Sequence, residues 1–165
     1  MTLAGGAVRL RPVRPDDVEW LVAAAGKPSA FGEFEPFFVG EAESLKRRFE
    51  QDGLLSEEYT RLVVEDRAGR RVGLAGIDAI DLHSRVARIS ATVLEPAERG
   101  KGLGTDAHRV LVSYLFLHRG LLRVEAFVAA GNLAARAVLR RLGFVEEGTL
   151  RSRVFARGQR HDVVA

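Results

Sequence analysis

Apolar and polar residues alternate through "VRLRP", putting Val8 and Leu10 on one side of a predicted strand that Pro12 closes. A helical spacing follows at once. Val18, Leu21 and Val22 share a face behind Asp16, which is suited to cap the helix, and Gly26 is placed to end it. "KPSAFGEFEPFF" breaks every period at Pro28, Gly32 and Pro36, so it reads as an aromatic loop or a hydrophobic plug. "GEAESLKRRFEQDG" is a second helix, charged on one side and closed by Gly53.

The period then becomes extended. "YTRLVVE" and "RVGLAGIDAI" flank the hairpin turn "DRAG", and "VARISATVL" adds a third strand of an antiparallel meander. Val110, Leu111, Tyr114, Leu115 and Leu117 mark a helix face that ends at Gly120. "LLRVEAFV" reads as a buried strand, and "NLAARAVLRRLG" as a helix with Asn132 as its cap. "FVEEGTLRSRVFA" reads as a further strand, and "RHDVVA" as the opening of a last one. The order β-α-α-β-β-β-α-β-α-β over residues 1–165 predicts a single α+β domain without linker or repeat.

Composition narrows the chemistry. A 165-residue chain with 47% hydrophobic and 28% charged residues is globular in character, and the absence of cysteine excludes disulfides, thiolate zinc sites and thiol nucleophiles. His83, His108, His118 and His161 show no metal-ligating spacing, so no metal is expected. The net charge is +3, and apart from "RSRVFARGQR" the arginines are dispersed, which makes nucleic acid a minority reading. With no membrane-length apolar run and no leader-like apolar segment, the expected location is the cytoplasm.

The densest signal is "ERGKGLGTDA", Glu98 to Ala107. It places three glycines and two cations before an amphipathic helix. Backbone N–H groups at a helix N-terminus suit a phosphate, and glycine lets that phosphate approach. The P-loop pattern fails because Lys101 stands between the first two glycines, and the dinucleotide pattern fails because the turn follows a meander with GxGxG spacing.

"VLEPAERGKGLGTDA" resembles the acyl-CoA signature of the GNAT superfamily of N-acetyltransferases, R-x-x-G-x-G/A, at Arg99, Gly102 and Gly104. "AGNLAARAVLRRLGFVEEG" and "VRLRPVRPDDVEWL" resemble its second conserved block and its N-terminal strand and helix. The pattern from Asn132 to Gly148 is most similar to the ribosomal-protein N-terminal acetyltransferase subgroup. This resemblance implies a mixed, mostly antiparallel sheet flanked by helices and splayed between "ISATVL" and "LLRVEAFV". It also implies acetyl-CoA as cosubstrate and a primary amine as acceptor, either a peptide N-terminus or a small cationic amine or antibiotic. The assembly would be a monomer or a homodimer. By the same resemblance Val93 and Leu94 pair with the pantetheine arm and the thioester carbonyl. Arg99, Gly100, Gly102, Gly104 and Thr105 hold the pyrophosphate, Lys101 helps to neutralise it, and Asn132 approaches the pantetheine or the sulfur.

Direct attack by a neutral amine needs an oxyanion donor, a route for the amine proton and ideally an acid for the thiolate. A backbone N–H near Leu94 is the expected donor. The family's frequent tyrosine and serine acids are replaced by Leu139 and Ala135, so the thiolate leaves without a side-chain acid, or the chain binds CoA without catalysis. Glu33 and Glu35 in the aromatic loop are the candidate bases, with Asp78 and Glu125 as further carboxylates. Relatives usually carry an acid where Arg88 stands. Trp20 is read as core, and His108 and His118 as surface or helix-end residues.

Overall fold

The structure, a computed structural model, describes residues 2–25, 27, 32–36, 41–56 and 59–165. Its first strands, β1 (Leu3–Ala4) and β2 (Val8–Pro12), pair antiparallel, and Val8 and Leu10 point into the core as their alternation requires. Helix α1 (Pro15–Ala25) begins at proline, whose missing N–H costs nothing there. Asp17, rather than the expected Asp16, serves its start by accepting the Arg14 N–H at 2.7 Å. Gly26 lies outside the described residues. Helix α2 (Glu41–Asp52) ends at Gly53, whose φ of +67° explains the glycine.

The meander is as the sequence predicts: β3 (Thr60–Asp66), β4 (Arg71–Asp81) and β5 (Val86–Val93) pair antiparallel in turn. A 3-10 turn at Pro96–Glu98 leads to α3 (Leu103–Leu117), whose first residues belong to the glycine turn itself. Asp106 ties α3 to β2, accepting the N–H groups of Ala7 and Val8 through one buried oxygen. With β6 at Arg123–Glu125, the six-stranded sheet runs β1-β2-β3-β4-β5-β6, antiparallel except for the β5–β6 pair. The α3 side is covered by Leu103, Ala107, Val110, Leu111 and Leu115. On the other side Leu21 of α1 packs with Leu54, Val63 and Leu94, and Leu45 and Phe49 of α2 pack against them.

"LLRVEAFV" is not one buried strand. It supplies β6 (Arg123–Glu125) to the large sheet and β7 (Val128–Ala129) to a second sheet ordered β7-β9-β8, with Leu122 69% exposed. Beyond the Arg88–Glu125 rung the chain leaves β5 and joins β9, so the two strands diverge. Helix α4 (Leu133–Arg141) follows, then β8 (Thr149–Ala156) and β9 (Gln159–Val164). "RHDVVA" therefore belongs to the last strand, as expected, and that strand lies at the centre of the second sheet, with Val163 and Val164 paired on both sides.

Candidate active site

The glycine turn leaves α3 with an open N-terminus. Gly100 and Gly102 take φ of +77° and +82°, a left-handed conformation that a side chain would strain. Gly102 is the N-cap and has no side chain to offer, and the first helical bond runs from Asp106 N–H to Gly102 O. The N–H groups ahead of Asp106 have no partner within the helix, and they sit at its positive dipole end. A Cβ on Gly104 would meet only Val93 Cγ2, at 3.8 Å, so packing does not demand glycine at this position. The space it spares belongs to a cleft of about 600 Å³. Val93, Arg99, Gly100, Gly102, Gly104, Thr105 and Asn132 all line that cleft. Lys101 pairs at 3.0 Å with Glu98, which also lines the cleft.

Strand divergence opens β5 to this cleft. The Leu94 N–H donates to Val72 O at 3.0 Å, so strand alternation turns the N–H and C=O of Val93 and Ala91 away from β4, toward the gap. Leu94, expected at the thioester, is thus committed to β4, and its side chain is buried on the α1 side. Val93 offers its N–H in that place, while its carbonyl accepts Arg99 Nε at 3.0 Å.

Across the gap, Asn132 caps α4 by accepting the Ala135 N–H through Oδ1 at 3.1 Å. That bond orients the amide, leaving Nδ2 as the donor on a residue that lines both the cleft and the adjoining gap of about 370 Å³. Ala135 and Leu139 line the gap, and neither side chain has an acidic proton to donate. His108 lines both spaces as well, contrary to a surface role. Its position one turn into α3 points it at the gap, which helix periodicity could have shown had the gap's side been known. His118 is the helix-end residue expected, as C-cap of α3.

Of the aromatic loop, residues 32–36 border the site. Phe34 meets His161 edge-on at 5.3 Å, and a Cβ on Gly131 would lie 2.9 Å from its ring, so glycine there admits the loop. Glu33 is exposed at the cleft. Glu35 touches the cleft, the gap and a third cavity of about 210 Å³ between α1, α2 and the sheet, as does Thr92. Burial raises the Glu35 pKa above its ordinary 4.5, against a Gly32 backbone bond and the Arg99 charge. The other carboxylates are engaged. Asp78 pairs with Arg61 at 2.6 Å and accepts Ser90 Oγ at 3.2 Å, and Glu125 accepts Arg123 Nε at 2.7 Å. Trp20 packs with the α1-side core, as expected.

Among the described residues no cluster of acids and histidines could hold a metal ion, and no helix is long and apolar enough to cross a membrane. Comparison with known proteins agrees with the geometry. A family model described as an acetyltransferase (GNAT) domain matches residues 7–145. YdaF of Bacillus subtilis (strain 168), whose name assigns it provisionally to ribosomal N-acetylation, is 38% identical over 58% of this chain and 52% of its own. A spermidine N(1)-acetyltransferase of Escherichia coli (strain K12) is 27% identical over 96% of this chain and 83% of its own. A crystal structure described as a probable acetyltransferase superimposes with a TM-score of 0.82 at 28% identity, covering 99% of this chain and 94% of that one.

Proposed function

This chain belongs to the GNAT acetyltransferase family and is an acetyl-CoA-dependent N-acetyltransferase, and we propose that residues 1–165 act as one catalytic domain with Glu35 as its base. The observation that carries this reading is the position of Glu35, where the cofactor cleft, the strand gap and the α1-side cavity meet.

The pyrophosphate would lie on the open N-terminus of α3, with Arg99, Gly100, Gly102, Gly104 and Thr105 around it. Pantetheine amides would extend β5 by bonding the outward groups of Ala91 and Val93, as an added strand does. The Val93 N–H then faces the thioester carbonyl and receives the oxyanion. Glu35 accepts a proton from the acceptor's ammonium. The neutral nitrogen attacks the acetyl carbon, the C–N bond forms and the C–S bond breaks. The amide nitrogen loses its second proton, and the departing thiolate takes one up from solvent. Asn132 Nδ2 offers the thiolate a hydrogen bond, which replaces in part the acids absent at Ala135 and Leu139.

Acceptors of the relatives support a primary amine, on a ribosomal-protein N-terminus or a polyamine. The cytoplasm, where acetyl-CoA is abundant, is the proposed location. The test is a thermal shift with acetyl-CoA followed by thiol release with an amine panel. Ligand at a hundred times its Kd adds about 2.7 kcal/mol, or roughly 5 to 10 °C for a domain of this size. A shift without turnover on any amine would make the chain a CoA-binding module instead.

A further inference from the structure

Arginine, not carboxylate, dominates the acceptor end of the site. Arg88 lies on β5 between Ala87 and Ile89, both buried on the α3 side, so its side chain projects to the opposite face with Ser90 and Thr92. Its guanidinium lies over the Phe127 ring, 3.9 Å from the centroid, and its buried Nε has no hydrogen-bond partner. Phe127 is itself part of the gap wall. Opposite Glu35, the same gap is lined by Arg153. An irregular register between Leu150 and Val154 aims it there, with Ser152 held at φ +51° by a 2.7 Å bond from its N–H to Asp162 Oδ1. Two of the described carboxylates are already paired, Asp78 with Arg61 and Glu125 with Arg123. A polycation entering the gap would meet the Arg153 guanidinium, with Arg88 behind the Phe127 wall.

Resting on the acetyl-transfer reading above, we propose that the acceptor is a peptide N-terminus followed by acidic residues, its amine at Glu35 and its carboxylates on Arg153 and Arg88. Guanidinium groups bind carboxylates through paired, charge-assisted bonds, and Arg88, whose Nε has no hydrogen-bond partner and whose guanidinium lies over the Phe127 ring, retains a donor for such a bond.

The experiment measures thiol release from acetyl-CoA with three acceptors: an acidic heptapeptide with a free N-terminus, its lysine-substituted counterpart, and spermidine. The acidic peptide should show kcat/KM about tenfold or more above the other two, expressed mainly in KM. Arg153→Glu and Arg88→Gln should each erode that preference, while their thermal shift with acetyl-CoA confirms that they fold. Equal or faster turnover of the lysine peptide or spermidine overturns the proposal, as does a preference that survives both substitutions. Turnover of no amine at all, with acetyl-CoA still bound, removes the transferase reading and this proposal with it.

Discussion

His108 donates its Nδ1 hydrogen to the Gly104 carbonyl at 2.8 Å, since a carbonyl can only accept. This fixes the tautomer and leaves Nε2 as a bare acceptor in the space between β5 and α4. Burial lowers its pKa below 6.5, against the Gly104 bond, so the ring is neutral at pH 7. An acceptor at the floor of the gap suits a pantetheine N–H. His108→Ala is expected to raise the KM for acetyl-CoA about tenfold with a small change in kcat. Steady-state kinetics in acetyl-CoA at saturating acceptor decide it, and a collapse of kcat alone would refute it.

Glu35 approaches neutrality from the other side. Its pKa lies above 4.5 because burial penalises the carboxylate, so activity should fall as pH drops through that raised value and the base becomes protonated. Glu35→Gln should lower kcat by about 10² or more and abolish the limb of kcat/KM assigned to this group. Folding carries the opposite sign. The folded state holds the Glu35 proton more tightly than the unfolded chain, so the ionised carboxylate works against folding at pH 7, and the Gln variant should melt higher. Loss of activity with a raised Tm is the joint signature, whereas a variant that is both inactive and destabilised would make Glu35 structural.

Asn132 has two separable duties. As N-cap its Oδ1 holds Ala135 N–H, worth about 1 kcal/mol, while its Nδ2 faces the cleft. Asn132→Asp retains a capping oxygen and loses the donor, so Tm should stay close to the native value while kcat falls. Asn132→Ala should lose both. If the Asp variant keeps full turnover, the amide hydrogen takes no part at the sulfur.

The alternation of β2, the meander and the glycine turn were legible because each depends on local spacing. What escaped the sequence depends on partners. "LLRVEAFV" is apolar throughout, and nothing in it shows that Glu125 is the last residue against β5 and Val128 the first against β9. The pair Val93 and Leu94 is legible from the motif, but which of the two turns its N–H outward is set by strand parity, since the Leu94 N–H bonds Val72 and leaves that of Val93 facing away from β4. His108 is on α3 as the pattern says, but its side was undetermined until the gap was known. The bulge that aims Arg153 inward arises from Asp162 ten residues away, which no local rule anticipates.

Gly102 and Gly104 look alike in sequence and should behave differently. Gly102→Ala strains a left-handed residue, costing about 1–2 kcal/mol in the protein alone. Gly104→Ala meets only Val93 Cγ2 at ordinary contact distance, so the protein alone should melt unchanged. With acetyl-CoA, the Gly104 variant should lose most of its thermal shift, because its methyl enters the proposed pyrophosphate space. An unaltered shift would place the pyrophosphate elsewhere.

Stability has its own buried centre away from the cleft. Arg11 and Asp17, 5% and 2% exposed, form a bidentate pair at 2.5 and 3.0 Å, and Arg11 Nε also donates to Glu65 at 2.7 Å. Burial acts to raise the Asp17 pKa, but bonds from Arg11 and Arg14 outweigh it and hold the carboxylate below its ordinary 3.8. That contribution is full above the unfolded value and is lost as pH falls below 3.8 through the folded one. Arg11→Met strands the Asp17 charge and should cost about 3–5 kcal/mol in urea unfolding at pH 7. Adding Asp17→Leu should restore part of it, because it removes the more deeply buried of the two carboxylates that lose Arg11 and leaves only Glu65 without that partner. A single variant as stable as the native protein would show that water reaches Asp17 and that the pair is not the anchor its burial implies.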